Sequence, residues 1–409
     1  MRAARLLLSL AMTLAMTLAP VVAAGQAAPV ITLSKPVVEL DEPMSNVLTA
    51  IELKDGRLLL LDDKDKALRL IDLAKGTVSD AARQGAGPLE FQPQGAFIGY
   101  LGDTTLYFDF VQRRYLVFDA KGKPVRTTGG SADQSPTAIL NMLIPRASDT
   151  KGAIYGTGIG MRLGAQGVPD PNRMFADSVA IERYDLKSGR RDTLTRVQNP
   201  ASTVAPKMQM GEGRLKMQFT PPNYAPIDLW GVLPDGRVVA LRSGAYQLHV
   251  RALDGRWTKG PVLSYTPVAV TAGEKQAIRD SMRVQLERQK KTSQEQMRDA
   301  VARSGSNQPV PSLEFELVEP ESWPAQKPAY TNLLVAPDGF VWVSQSRPTA
   351  SKLERFDVLD GTGTRRAQVT MPAGERVIAL GRGAVYTVRV DEDELQYIRK
   401  YTVTIGAPR

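Results

Sequence analysis

The chain of 409 residues has no cysteine and one histidine, His249. Without cysteine it can form no disulfide and carry no lipid anchor on a thiol, so its stability must come from the core alone. His249 lies in the alternating segment 246–250, which is typical of a structural strand residue. The sequence therefore offers neither a catalytic triad nor a histidine-rich zinc site.

Long apolar runs are also scarce, and only one stands out, at residues 6–19. It is shorter than the roughly 20 residues that a helix needs to cross a bilayer. Arg2 and Arg5 precede it and the small residues of 22–24 follow it, which is the pattern of a secretory signal peptide. We predict a signal peptide at 1–24, with cleavage as late as residue 27. The mature chain should be exported, periplasmic or secreted, with no transmembrane segment and no lipobox cysteine.

Lys and Arg exceed Asp and Glu, giving a formal net charge of +9 that falls to about +7 once Arg2 and Arg5 are removed. The basic residues are spread along the chain, and no block of one sign stands out. This distribution favours good solubility and argues against a nucleic-acid partner, which an exported protein rarely meets.

A repeated unit organises most of the chain. In each copy, apolar strands alternate with turns, and an Asp-Gly or similar pair marks the first turn, as at Asp55-Gly56 and Asp235-Gly236. Such a pair between alternating apolar runs is a strong hairpin signal. One meander cannot bury both faces of its sheet, so the copies must stack around an axis.

The fold class predicted is all-β, a single six-bladed β-propeller over 30–405 with a helical insertion between blades 4 and 5. Segment 30–40 belongs to no unit and should close the ring as the outer strand of the sixth blade. The blades are predicted near 47–93, 94–136, 143–197, 227–266, 330–372 and 376–404.

The link between the first two units carries a family resemblance. Gly85, Gly87, Pro88, Phe91 and Pro93 follow a Gly-x-Gly-Pro-x-x-Phe-x-x-Pro-like pattern, and the chain resembles the NHL-type six-bladed β-propeller family, especially its exported bacterial members. We expect the glycines to adopt positive φ and Phe91 to pack between blades. The resemblance implies protein-binding scaffolds, sugar-lactone hydrolases or lyases. The lone histidine counts against zinc-dependent lyases.

Three long insertions interrupt the repeat, at 156–177, 198–226 and 267–329, and the topology predicts that all three emerge on one face. The last contains a helix that runs to about Arg303, where Thr271 and Glu274 form a capping-box pattern. Its apolar stripe should face the propeller. A break near 291–293 would divide it into two shorter helices. Trp323, in the same insertion, is either a ligand contact or a local anchor.

Aligning the units on their first turns places five residues at the starts of the innermost strands, around the channel mouth: Asn46, Gln94, Asp228, Tyr330 and Arg376. Such a ring could bind a small polar ligand, or serve only as the wall of a water-filled pore. A calcium ion held by oxygen ligands is the one cofactor hypothesis that the composition leaves open, as in lactonase-like propellers. The acidic loops 62–65 and 391–394 lack EF-hand spacing.

These observations favour an exported, monomeric, non-enzymatic propeller whose insertion-bearing face binds a protein, peptide or glycan. No cofactor is required by this interpretation. The alternative is a lactonase-like, divalent-metal-dependent hydrolase that acts at the channel mouth. Converging carboxylate or amide oxygens in the channel would favour the enzyme, and scattered amides and hydroxyls would favour the binding protein, so the question of catalysis stays open.

Overall fold

The computed structural model describes residues 28–130, 140–163, 174–204, 206–211, 214–304 and 312–406. The predicted signal peptide lies outside the described residues, as do short parts of the second unit and of the insertions. Within the described part of the chain, no helix combines the length and apolarity that crossing a membrane demands.

Antiparallel strands dominate the structure. Most of them form small sheets of consecutive strands, which we call meanders and number in chain order. The N-terminal segment contributes β1 (Val30–Thr32) and β2 (Val38–Glu39). Meander one contains β3 (Val47–Glu52), β4 (Leu58–Asp62), β5 (Ala67–Asp72) and β6 (Thr77–Ala82). Meander two contains β7 (Gly95–Gly99), β8 (Thr105–Asp109), β9 (Arg114–Phe118) and β10 (Pro124–Gly130). Meander three contains β11 (Leu143–Ser148), β12 (Ala153–Gly158), β13 (Ser178–Asp185) and β14 (Arg191–Gln198).

The C-terminal half continues the pattern after a short helix, α1 (Pro200–Val204), and two strands, β15 (Lys207–Gly211) and β16 (Arg214–Phe219). Meander four contains β17 (Leu229–Val232), β18 (Val238–Leu241), β19 (Gln247–Arg251) and β20 (Trp257–Val262). Helix α2 (Ala272–Ser304) and β21 (Ser312–Leu317) follow. Meander five contains β22 (Tyr330–Val335), β23 (Val341–Gln345), β24 (Arg355–Leu359) and β25 (Arg365–Thr370). Meander six contains β26 (Glu375–Gly381), β27 (Ala384–Val390) and β28 (Gln396–Thr402).

The two N-terminal strands join different sheets. β2 pairs antiparallel with β28 and is the fourth, outer strand of meander six. β1 instead pairs parallel with β25, the outer strand of meander five, through Val30 to Thr32. Segment 30–40 therefore spans two neighbouring sheets rather than forming a single strand.

Apolar side chains fill the spaces between consecutive meanders. The second strands are buried along most of their length because both of their faces are covered, as in β4 and β18. Separate hydrophobic clusters join meander one to two, two to three, three to four, four to five and five to six. A sixth cluster joins meander six back to meander one through Tyr386 and Leu58. The sheets are thus packed face to face in a ring, a β-propeller type of arrangement.

The first strand of each meander lies nearest the centre of this ring; these inner strands are β3, β7, β11, β17, β22 and β26. Contacts run from β26 to β3 and onward through β7, β11 and β17 to β22. We call the space that the inner strands surround the channel.

The link at residues 83–93 corrects one expectation from the sequence. Neither Gly85 nor Gly87 is among the residues with positive φ. Their role is steric, because a Cβ at Gly85 would overlap the Glu90 carboxylate, which folds back to accept the Gly87 N–H at 2.8 Å. Phe91 is fully buried in the cluster between meanders one and two, edge-on to the Tyr107 ring.

Two glycines of β7 provide a matched test of inner-strand packing. A Cβ at Gly95 would overlap the Tyr107 ring and the Phe108 carbonyl oxygen, whereas a Cβ at Gly99 would meet only the Ile51 methyl group, 4.0 Å away. We expect Gly95→Ala to lower the free energy of unfolding by about 1–3 kcal/mol or more, as overpacked cores do. Gly99→Ala should change it little. Urea titrations of both variants measure this, and equal midpoints would contradict it.

Candidate functional site

The three insertions leave the ring on one side. They follow β12, β14 and β20, which are second or fourth strands of their meanders. Even-numbered strands of a meander run in the same direction, so these three end on the same face. The first and second insertions touch where Asn199 N–H donates to the Asp177 carbonyl at 2.9 Å.

The second and third insertions build one small sheet that the sequence did not predict. β15 pairs antiparallel with β16, and β16 pairs parallel with β21. Opposed pairs such as Leu215 and Leu313, or Met217 and Phe315, lie on one face. The other face is polar, and on it Lys216 forms an ion pair with Glu316 at 3.0 Å. We call β15, β16, β21 and α2 the rim layer.

Helix α2 packs on this sheet along its apolar stripe, whereas the sequence predicted that the stripe would face the propeller. It contacts β21, Leu286 is buried, and Ile278, Met282 and Met297 are partly buried. The Gln294 side-chain oxygen accepts the Leu313 N–H at 3.3 Å. The helix runs unbroken from Ala272 to Ser304, without the break considered near 291–293.

The predicted capping box is only half formed. The Thr271 hydroxyl accepts the Glu274 N–H at 3.2 Å, as expected of an N-cap. The Glu274 carboxylate does not return to the Thr271 N–H. It forms an ion pair with Lys327 at 2.8 Å and accepts the Thr349 N–H at 2.8 Å. Glu274 is therefore bound to residues that are distant in sequence, and not to the backbone at the start of its own helix.

The Glu274–Lys327 pair anchors the rim layer to meander five. The two side chains are 10% and 5% exposed, respectively. Lys327 Nζ also donates to the Arg347 carbonyl at 2.9 Å and lies 4.6 Å from the Tyr224 ring centroid. Desolvation opposes ionisation of Glu274, but the hydrogen bonds from Lys327 and Thr349 outweigh it and lower its pKa to about 2.

Trp323 belongs to the same anchor. Its ring lies 5.7 Å from Lys275 Nζ and 5.8 Å from the Arg279 guanidinium carbon, both on α2. The Tyr224 ring is 6.1 Å away. Arg279 is in turn held by Glu319 at 2.6 Å. These contacts favour the local-anchor interpretation of Trp323.

The predicted channel-mouth residues fall into separate groups. Gln396 links Asn46 to Arg376, since its Nε2 donates to Asn46 Oδ1 at 3.3 Å and its Oε1 accepts from Arg376 Nη2 at 3.5 Å. Gln94 is exposed, and among the described residues no side-chain hydrogen bond joins it to the other predicted residues.

The second group contains Asp228 and Tyr330, linked by Arg242. The Arg242 guanidinium is 3.6 Å from the Asp228 carboxylate, and its carbonyl accepts the Tyr330 hydroxyl at 2.9 Å. Burial raises the pKa of Tyr330 to about 12, and the Asp228 charge adds to the effect. The two Asp228 oxygens also accept the N–H groups of Gln198 and Ser243, at 3.1 and 3.3 Å.

These groups do not fit a calcium ion. Calcium takes six to eight converging oxygen ligands. Here both oxygens of Asp228 already accept hydrogen bonds, and the guanidinium of Arg376 would repel a cation. Across the described ranges, no three or more His, Asp or Glu side chains are grouped to hold a metal ion.

The acidic loop at 62–65 has a structural role. Asp62 is fully buried, and its carboxylate accepts the N–H groups of Ser45, Asn46 and Asp65 at 2.7–3.2 Å. Asp109 repeats this arrangement at the end of β8. In the loop at 391–394, Asp391 likewise accepts backbone N–H groups. His249 lies on β19, where it is paired with Ala240 of β18 and Lys259 of β20, and desolvation followed by the charge of Lys259 lowers its pKa.

One channel residue, Arg146, was not predicted from the sequence. It is the extra residue of a β-bulge in β11, where the register shifts between Pro145 and Ala147. Its guanidinium carbon lies 5.3 Å from the Trp230 ring centroid on β17, and Nη2 donates to the Leu333 carbonyl on β22 at 3.4 Å. The signal in the sequence was that Arg146 is the one charged residue of the inner strand β11.

No protein-family model and no curated protein matches the chain. Among solved structures, a gluconolactonase from Xanthomonas campestris is 11% identical over 89% of this chain and 88% of its own, with a TM-score of 0.41. A calcium-binding protein, regucalcin, from Agrobacterium tumefaciens is 11% identical over 93% and 99%, with a TM-score of 0.38. Virginiamycin B lyase from Staphylococcus aureus is 9% identical over 90% and 99%, with a TM-score of 0.39. TM-scores this low carry no argument about what this chain does.

Proposed function

We propose that this chain is an exported, monomeric, six-bladed β-propeller that binds a protein, peptide or glycan through its insertion-bearing face. The six meanders are the blades, and β2 completes the sixth. The observation that supports this function is the rim layer. Two insertions about 100 residues apart in sequence combine in one sheet through the β16–β21 pairing.

The rim layer has the construction of a docking platform. Its helix is held at one end by the buried Glu274–Lys327 pair and along its length by the apolar stripe, so its outward face is presented rigidly. A rigid face loses little conformational entropy when a partner binds. That face carries exposed basic side chains, Arg288, Lys291 and Arg298, which suit a partner with acidic groups.

Charge reversal on α2 tests the proposal more sharply than deletion, because deleting 267–329 would also remove β21 and Lys327. We expect the mature protein, used as bait on extracts of the exported fraction, to enrich specific proteins or glycans. The double variant Arg288→Glu/Lys291→Glu should lose that enrichment and bind the identified partner at least several-fold more weakly.

The matched control is Lys75→Glu/Arg256→Glu, the same charge change at turns on the opposite face. Lys75 and Arg256 have side chains 77% and 86% exposed. This control should retain the partner. Identical enrichment profiles for the wild type and the α2 variant would overturn the proposal.

A further inference from the structure

We propose that the channel contains a second site, which binds a carboxylate anion at Arg146. This site is separate from the rim layer and does not depend on the function proposed above. Its centre is the guanidinium that the β11 bulge directs across β17 towards β22.

The contacts of Arg146 leave most of its binding capacity unused. A guanidinium has five N–H donors. In the described contacts of this side chain, one donor makes a long hydrogen bond of 3.4 Å to the Leu333 carbonyl, and the Trp230 ring covers one face. The ion pairs between described residues include none to Arg146. The remaining donors form the fork that fits a carboxylate in bidentate geometry.

Desolvation makes an anion favourable at this position. The side chain remains accessible to solvent, yet the surrounding inner strands lower the pKa of Arg146 by desolvation alone. Among the described residues, no carboxylate shifts this pKa in the opposite direction. A positive charge that has lost part of its hydration gains more from a bound anion than one in open water does.

The other charged residues of the inner strands also leave the channel with an excess of positive charge. Glu52 accepts the Tyr386 hydroxyl and the Arg382 N–H, and Glu375 is buried against Arg399. Both carboxylates are therefore already bound to donors within the protein. The second inner-strand arginine, Arg376, donates at 2.9 Å to the Val47 carbonyl, and desolvation lowers its pKa also. The charge that the inner strands leave uncompensated is positive.

The test measures binding of defined carboxylates to the mature full-length protein. Probes are acetate, citrate and the peptide Gly-Gly-Gly with a free or an amidated C terminus, each against chloride at constant ionic strength. Isothermal calorimetry gives the affinity, and thermal unfolding gives an independent measure because a ligand of the native state raises the Tm. Peptide binding that requires a free C terminus indicates a chain-terminal carboxylate, whereas preference for citrate indicates a free organic acid.

We expect Arg146→Gln to weaken binding about 10- to 100-fold, the range for a charged hydrogen-bonded contact. Glutamine stays polar, and the hydrogen bond that is lost to the Leu333 carbonyl is a long one at 3.4 Å, so the fold should persist. Arg146→Lys keeps the charge without the fork, and should bind with intermediate affinity; it also serves as the test if the glutamine variant fails to fold. Arg256→Gln, in the exposed turn between β19 and β20, removes the same charge and should bind as the wild type does.

Two results would contradict the proposal of a carboxylate site at Arg146. One is that no carboxylate probe binds the wild type more tightly than chloride does. The other is that Arg146→Gln or, if that variant does not fold, Arg146→Lys retains wild-type affinity. Either result leaves the rim-layer experiment unaffected, since that experiment changes residues outside the channel.

Discussion

Replacing Asp357 with alanine is expected to lower the free energy of unfolding by about 3–5 kcal/mol, the cost of removing one partner from a buried ion pair. The Asp357 side chain is fully buried on β24, and Arg365 lies 2.8 Å from its carboxylate. The Tyr246 hydroxyl donates to Oδ2 at 2.7 Å, and the Gln368 amide donates to Oδ1 at 2.9 Å. Alanine would leave these donors without their shared acceptor.

The network joins two neighbouring meanders, because Tyr246 lies just before β19 and Asp357 lies on β24. Desolvation, followed by the Asp357 charge, raises the pKa of Tyr246, so the hydroxyl stays protonated and keeps donating. Loss of Asp357 should therefore weaken the contact between meanders four and five, as well as the sheet of meander five.

Asp254→Ala is the matched control. Asp254 pairs with Arg256 at 2.7 Å in an exposed turn, where water screens the two charges and the pair contributes little to stability. Urea unfolding of both variants gives the comparison. Asp357→Asn should lie between them, because it keeps the volume and loses the charge. Equal stability of the two alanine variants would show that the buried network does not stabilise the ring.

The parts of the fold that the sequence predicted are those set by local chemistry. The Asp55-Gly56 turn lies between β3 and β4, and Gly56 has a φ of 87°, which favours glycine. Apolar runs such as 58–61 form buried second strands. They could be predicted because the apolar pattern depends only on neighbouring residues. The long helix also follows from local signals, the Thr271 cap and the apolar stripe.

The parts that the sequence did not predict depend on distant partners. β16 and β21 alternate apolar and polar residues, but neither segment indicates that it pairs in parallel with the other. Glu274 was assigned to a local cap because Lys327 and Thr349 are far away in sequence. The side chains that line the channel were the hardest to predict. Alignment on turns gives the starts of strands, whereas bulges such as the one at Arg146 decide which side chain enters the channel.

Neutralising Glu274 is expected to release the rim layer from meander five. Glu274→Gln leaves the 5% exposed Lys327 without its counter-charge, and removal of one member of a buried pair costs about 3–5 kcal/mol. The Lys327→Gln variant should show a similar loss. The double variant should be less destabilised than the sum of the two, because it leaves neither charge unpaired. Since α2 is the one long helix in the described part of the chain, the helical band of far-UV circular dichroism reports on its docking.

The pH dependence of this anchor has a definite sign. The pKa of Glu274 is lowered from 4.5 to about 2 in the folded protein, so its stabilisation is complete above the unfolded pKa and is lost as the pH falls towards 2. That shift corresponds to up to about 3 kcal/mol. The difference in stability between the wild type and Glu274→Gln should therefore shrink between about pH 5 and pH 2. Glu287→Gln, at an exposed position of α2, should follow the wild type throughout. A wild-type helix signal that melts in parallel with that of Glu274→Gln at every pH would mean that the pair does not hold the rim layer.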